Sequence, residues 1–238
     1  MFVSDKTELS ANYADEVRNK KLFFDLCKNA DRPKMVENSE MNYLLKYHQD
    51  CINENVVPLP ILFKVRSKKL ILKGYRLNQG LCLSMRHAFR LYPQLLREIK
   101  LENNGMSDHD LAQIIHGLSH LEELKRISIV NNIFLDESYE ALAPILKRLV
   151  PNQLDNLRLI GVRTVPLITG KIMESLSDGC HLRRLSIVNG ELSDITVRLM
   201  CNVIKKASFL IELDISANNM TSSRMLELSS VLAENRKL

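Results

Sequence analysis

The chain has 238 residues, of which 45% are hydrophobic and 5% aromatic, and its formal net charge is +5. No apolar run approaches the roughly 20 residues of a membrane-spanning helix, so we predict no membrane span. The five cysteines lack the spacing of a disulfide framework or a zinc site, and the first residues lack the basic and apolar segments of a signal peptide. We therefore expect a cytoplasmic protein with reduced thiols and a core large enough for a stable fold.

Residues 1–60 do not share the pattern of the rest of the chain. Segments 14–29 and 39–54 have apolar residues at helical spacing, and the proline-containing passage 56–60 favours extended backbone. We interpret 1–60 as a small helical N-terminal cap that covers the apolar end of a repeat array. The alternative is a separate docking region that packs on a partner.

From residue 61 to 238 one figure, LxxLxLxxN, recurs in about six units. The intervals between the five clear copies are 28, 30, 28 and 28 residues. A degenerate copy, with Ser67 in place of the first leucine, precedes them. The clear copies begin at Leu96, Leu124, Leu154, Leu182 and Leu210. Repetition at this period predicts a solenoid. Leu238 stands 28 residues after Leu210, so we expect it to begin a seventh unit.

Each unit has the pattern of one short strand followed by one helix. Positions four and six of the figure should face the core, and positions three, five and seven should face outward. An Asn at position nine (Asn104, Asn132, Asn218) should bond backbone groups at the turn. The helices should begin at residues that make good caps, which are Ser107, Asp136, Asp194 and Thr221. On the last helix, Met225, Leu228 and Val231 should face the core.

The repeat resembles the ribonuclease-inhibitor-like class of leucine-rich repeats over roughly residues 65–238. This resemblance implies an α/β fold, a leucine-rich-repeat solenoid in which a parallel sheet lines the inside of a horseshoe and helices lie outside. Relatives with this repeat length include Ran GTPase-activating proteins, innate immune receptors, actin-capping regulators and a leucine-rich subunit of the ciliary nexin–dynein regulatory complex. A shared fold does not choose among these functions.

No pattern in the chain is typical of an enzyme. His116 and His120 stand four apart on a predicted helix, but the glutamate of a HExxH zinc motif is absent. We interpret them, with His109, as surface histidines on the helix side. Because no catalytic triad or carboxylate pair can be assembled from the spacing, we predict no catalytic activity, no cofactor and no metal.

Positive charge is concentrated near the start of the array. Residues 61–100 hold ten basic residues and one acidic residue, Glu98. The basic patch consists of Lys64, Arg66, Lys68, Lys69, Lys73 and Arg76. Such a block favours an acidic partner, and its alternative is a solvated edge. Because no aromatic-interleaved nucleic-acid motif accompanies it, we do not expect nucleic acid to be that partner.

The predicted concave face contains a second candidate surface. Outward positions of the three central units combine an apolar row with three arginines, a mixture typical of binding surfaces. These residues are Arg126, Val130, Arg158, Ile160, Arg184 and Val188. The alternative is that branched apolar residues simply suit strands.

Together these features favour a non-catalytic scaffold that holds a protein segment of acidic character on its concave face. The resemblance adds the expectation of membership in a larger cytoskeletal or ciliary complex. The alternative is a regulator that activates a small GTPase, as the similarity to Ran GTPase-activating proteins implies.

Overall fold

The computed structural model describes residues 48–53, 68–147, 154–177, 181–206 and 210–235. In these ranges, strands and helices alternate in the order that the repeat predicts. They are β1 (Lys69–Lys73), α1 (Gln79–Leu91), β2 (Glu98–Glu102), α2 (Asp108–Leu118), β3 (Arg126–Val130), α3 (Asp136–Leu146), β4 (Asn156–Ile160), α4 (Pro166–Ser177), β5 (Arg184–Val188), α5 (Asp194–Lys206), β6 (Glu212–Asp214) and α6 (Ser222–Glu234).

Part of the predicted organisation lies outside the described residues. This applies to segment 14–29, to the boundary at residue 60, and to Leu238 as the start of a seventh unit. Within the predicted segment 39–54, residues 48–53 are helical. The N-terminal cap therefore stays a prediction.

The six strands form one parallel sheet in sequence order, β1-β2-β3-β4-β5-β6. Equivalent repeat positions lie side by side, as Ile99, Ile127 and Leu157 do on successive strands. This regular register means that each unit pairs only with its sequence neighbours. An α/β array of repeated units is thus confirmed, in agreement with a repeat solenoid.

The core lies between the sheet and the helices. Positions four and six are buried on β1 to β5, whereas most residues at positions three, five and seven are exposed or partly exposed. Ser186 at position five is an exception: its short side chain is buried, and its register partners on the adjacent strands, Arg158 and Asp214, have longer side chains. The inward strand residues and the apolar faces of the helices form one continuous hydrophobic cluster.

Every strand is followed by a residue with left-handed backbone at position eight of the repeat. These residues are Gly74, Asn103, Asn131, Gly161, Asn189 and Ala217, with φ between 50° and 70°. Glycine and asparagine tolerate this conformation, and alanine does so at a cost. The turn thus depends on position eight as well as on the asparagine at position nine.

The position-nine asparagines bond as predicted, and each one serves the preceding unit. The Asn104 side-chain amide donates to the carbonyl of Tyr75 (2.9 Å), and Asn132 Oδ1 accepts from the Asn104 backbone N–H (3.1 Å). Where Gly190 replaces the asparagine, its N–H donates to Asn218 Oδ1 at 2.7 Å. The asparagines therefore connect neighbouring units through otherwise unpaired backbone groups.

Two of the four expected helix caps are wrong. Ser107 caps α2 in a reciprocal capping box with Asp110, as predicted. Asp136 instead lies in the first turn of α3, where Asp108 of the previous unit accepts hydrogen bonds from two backbone N–H groups. Asp194 also lies in the first turn, because the Ser193 hydroxyl accepts from the third N–H of α5. Thr221 stands at the cap position of α6, but its hydroxyl contacts Ser223 Oγ (3.1 Å) and forms no hydrogen bond with the helix backbone.

The last described unit is packed less completely than the others. Leu228 and Val231 are buried, but Met225, predicted to face the core, is 49% exposed. The inward residue Leu213 is also only partly buried. In the part of the chain that the structure describes, β6 and α6 have a neighbouring unit on one side only, which accounts for both differences.

Candidate functional site

The face of the sheet opposite the helices carries the residues at positions three, five and seven of each unit. We call it the open sheet face. Position three holds Lys69, Glu98, Arg126, Asn156, Arg184 and Glu212; position five holds Ile71, Lys100, Ser128, Arg158, Ser186 and Asp214. Position seven holds Lys73, Glu102, Val130, Ile160 and Val188 on the first five strands.

The predicted apolar row is contiguous in the structure. Val130 is the register partner of Ile160, and Ile160 is the register partner of Val188. All three side chains are partly exposed. Because neighbouring strands are about 4.8 Å apart, the row forms a strip roughly 10 Å long across β3, β4 and β5.

The three predicted arginines differ in what they contact. Arg126 donates to Glu98 at 2.9 Å, and Arg184 forms an ion pair with Glu212 at 2.8 Å. Arg158, between them on β4, is exposed and has no hydrogen bond or ion pair to any described residue. The structure thus brings the three onto one face but leaves only the central guanidinium unpaired.

The β1–β2 end of the open sheet face is a network of charges. Glu98 accepts from both Lys69 (3.1 Å) and Arg126, while Glu102 lies between Lys73 (3.1 Å) and Lys100 (2.6 Å). Four cations therefore surround two carboxylates, which leaves this end with an excess of positive charge.

The pKa values of these carboxylates reflect their partners. Partial burial works to raise the pKa of Glu98, but the hydrogen bonds and charges of Arg126 and Lys69 outweigh it, so the pKa is lowered. The Lys100 hydrogen bond is the main cause of the lowered pKa of Glu102. At the opposite end, hydrogen bonds from Ser216 lower the pKa of Asp214, with a smaller contribution from the charge of Arg158. All three carboxylates are therefore held in the charged form.

The basic patch is largely paired where the structure describes it. Lys68 and Arg97 both contact Glu123, at 2.7 and 3.1 Å, and Lys69 and Lys73 contact the β2 glutamates. Arg76 is exposed, and Lys64 and Arg66 lie outside the described residues. Residues 61–100 include a single acidic residue, Glu98, but in the folded chain their basic side chains contact three glutamates, Glu98, Glu102 and Glu123.

Sequence reasoning missed these ion pairs, although a signal for them exists. Four of those on the open sheet face join equivalent positions of neighbouring units, so opposite charges about one repeat apart indicate such a pair. Glu98 and Arg126 are 28 residues apart, as are Arg184 and Glu212. A comparison of charges at the repeat spacing would have identified them.

The remaining candidates for chemistry do not assemble into a site. The predicted surface histidines are exposed, and His109 contacts Glu137 at 2.7 Å. Among the described residues no group of three or more potential ligands could hold a metal ion. The described cysteines, Cys51, Cys82 and Cys201, are buried and form no disulfide with one another. Burial raises the pKa of Cys82 to about 12, which disfavours its reactive thiolate form.

The described residues thus form an array of strand–helix units with one open, charged and partly apolar sheet face. A scan against protein-family models finds none that matches this chain, and a search of curated proteins finds no match either. None of the helices in the described ranges is long and apolar enough to cross a membrane.

Proposed function

We propose that the protein is a non-catalytic scaffold whose open sheet face binds a segment of another protein. The observation that carries this proposal is the alignment of Val130, Ile160 and Val188 across three strands, beside the exposed Arg158. Exposure of a row of apolar side chains to water is unfavourable, and covering it with a partner would remove that cost. An apolar centre accompanied by arginine is also typical of protein interfaces.

The charge of the face supports a partner with acidic character. The outward strand positions hold Lys69, Lys73, Lys100, Arg126, Arg158 and Arg184 against Glu98, Glu102, Glu212 and Asp214. This gives a net charge of +2, and the four cations at the β1–β2 end supply the excess. Carboxylates of a partner segment would complement it.

The leucine-rich-repeat resemblance supports the wider context of the proposal. On that resemblance we propose a cytoplasmic location and membership in a larger cytoskeletal or ciliary assembly. Imaging of the tagged full chain in its native cell tests this part separately. Uniform cytoplasmic signal without enrichment on such a structure would contradict it.

Affinity capture from the native source tests the binding face. Three versions of the full chain serve as bait: the natural protein, Ile160→Asp in the apolar row, and Lys205→Glu on the exposed side of α5 as the matched charge control. We expect a partner that the natural protein and Lys205→Glu retain and Ile160→Asp loses, by quantitative mass spectrometry. Equal capture by all three, or loss with Lys205→Glu alone, would place binding elsewhere.

A further inference from the structure

The unpaired guanidinium of Arg158 marks the centre of the open sheet face. We propose that Arg158, together with the hydroxyl of Ser128, forms a subsite for a single side-chain carboxylate of the bound segment. This proposal rests on the proposed function and names the chemistry of the partner at one position. It also predicts that Arg158 contributes more to binding than Arg126 and Arg184, because these two already have carboxylate partners within this chain.

The three glutamates of the face are in ion pairs within the chain, whereas the charge of Arg158 reaches only Asp214 and without contact. Lysine or arginine side chains contact Glu98, Glu102 and Glu212. Asp214, two strands away from Arg158, accepts hydrogen bonds from the Ser216 backbone N–H (3.1 Å) and hydroxyl (2.7 Å). Arg158 is therefore the open-face cation for which the described residues provide no carboxylate in contact.

The residues beside Arg158 leave room for a ligand and offer a further polar contact. Ser128 and Ser186 are its register partners on the two adjacent strands, and both side chains are short. Ser128 Oγ is shielded from solvent and has no hydrogen-bond partner among the described residues, and the same holds for Asn156 Oδ1. A rotation of the Ser128 side chain lets its hydroxyl donate to an oxygen held by the guanidinium.

The chemistry of one free arginine favours a carboxylate over a phosphate. A guanidinium can hold a carboxylate through two parallel hydrogen bonds, which fixes orientation as well as charge. Recognition of a phosphorylated residue generally uses a cluster of arginines to balance its charge of nearly −2. Here the neighbouring guanidinium groups are occupied by Glu98 and Glu212.

The position of Ile160 sets the spacing of the ligand. Ile160 follows Arg158 by two residues on the same strand face, so their Cα atoms are about 7 Å apart along the strand. Alternate side chains of an extended segment have this same separation. We therefore expect an acidic residue and an aliphatic residue two positions apart in the bound segment.

A random dodecapeptide library displayed on phage, selected against the full chain, tests the subsite. The best sequence is then made with acetylated and amidated ends, which removes the terminal charges. We expect the selected sequences to share an Asp or Glu two positions from an aliphatic residue. Arg158→Gln should weaken binding of the synthetic peptide at least tenfold by titration calorimetry. The matched control Lys205→Gln, on the exposed side of α5, should leave it unchanged, and Arg126→Gln and Arg184→Gln should weaken it less than Arg158→Gln does.

Two measurements separate recognition from folding. Replacing the acidic residue of the peptide by its amide should weaken binding to the natural protein but have no added effect on Arg158→Gln, as a double-mutant cycle requires. Arg158→Glu should regain binding when the peptide carries Lys at the acidic position. A misfolded variant would not regain it.

The outcomes distinguish the subsite from the proposed function. Selected peptides that need no acidic residue, yet lose binding to Ile160→Asp, would overturn the subsite and leave the binding face in place. At least tenfold tighter binding of a phosphoserine peptide than of the Glu peptide would overturn the carboxylate assignment. Peptides that bind Arg158→Gln and Ile160→Asp as tightly as the natural protein, or no enrichment at all, would overturn both proposals.

Discussion

The two faces of the same six strands follow different rules. On the inward face the first five units each bury aliphatic side chains between the sheet and the helices at the same two positions. On the open face the units differ, with ion pairs at the β1–β2 end and an apolar row with an unpaired arginine in the centre. The repeated framework holds the fold together, so the features that do not repeat are the ones available for recognition.

The largest expected difference between the faces is seen at two adjacent residues on β4. Leu157 is fully buried, and Leu157→Ala should lower the free energy of unfolding by about 2–5 kcal/mol through lost burial and a cavity. Arg158→Ala should lower it by less than about 1 kcal/mol, because this side chain is exposed and unpaired. Urea denaturation of both variants measures the two values. Equal destabilisation would show that the framework and the open face are not energetically distinct.

A pair of helix glycines tests how tightly the repeated framework is packed. A Cβ at Gly117 would lie 2.8 Å from the Arg86 Cα of the neighbouring helix, whereas at Gly170 the nearest atom is 3.8 Å away. Gly117→Ala should therefore destabilise the protein by about 1–3 kcal/mol through overpacking against backbone. Gly170→Ala should stabilise it by about 0.5–1 kcal/mol, because alanine favours a helix interior. Thermal unfolding of both variants checks the signs, and a stabilising Gly117→Ala would contradict the close packing of α1 and α2.

The left-handed turns provide a test at the one position that departs from the pattern. Ala217 has φ 55° where the five other described units have glycine or asparagine. Ala217→Gly should raise the free energy of unfolding by about 0.5–1 kcal/mol, because glycine adopts this conformation without the Cβ penalty. Ala233→Gly on the exposed side of α6 is the control, and it should lower stability by about 0.5–1 kcal/mol. A loss of stability in Ala217→Gly would contradict the role assigned to position eight.

The smallest expected effect concerns the charge network on the open face. The pKa of Glu98 is below its ordinary value of 4.5, because Arg126 and Lys69 outweigh the effect of its partial burial. Its contribution to stability is therefore present above about pH 4.5 and is lost as the pH falls through the lowered value. Glu98→Gln should cost less than about 1 kcal/mol near neutral pH, and this difference should shrink as the pH falls below about 4.5 and through the lowered pKa of Glu98. Denaturation curves from neutral to acidic pH check the result, and a difference that grows as the pH falls would show that the ion pairs are not its source.

The fold was largely predictable because it depends on local periodicity. The alternation of apolar residues within each LxL figure is sufficient to assign Leu157 inward and Arg158 outward, and the helical spacing of Leu111, Ile114 and Ile115 is sufficient to bury them. The caps were less predictable. Asp108 and Asp136 stand at similar local positions, yet Asp108 bonds the first turn of the next helix, which is an interaction between units.

The candidate site was predictable in its composition but not in its contacts. The register of equal-length repeats was sufficient to align Val130, Ile160 and Val188. The distinction between Arg158 and the other two arginines depended on which carboxylates lie beside them after folding.

The sequence by itself therefore determined the strand–helix order, the inward residues and the asparagines of the turns, because these follow from periods of two, 3.6 and about 28 residues. Only the tertiary structure decided which charges meet, which turn residues take left-handed backbone, and which side chains remain without a partner. Which charges meet and which side chains remain without a partner depend on distances between side chains of neighbouring units. An ion pair forms or fails within about 4 Å, and a residue's identity alone does not specify that distance.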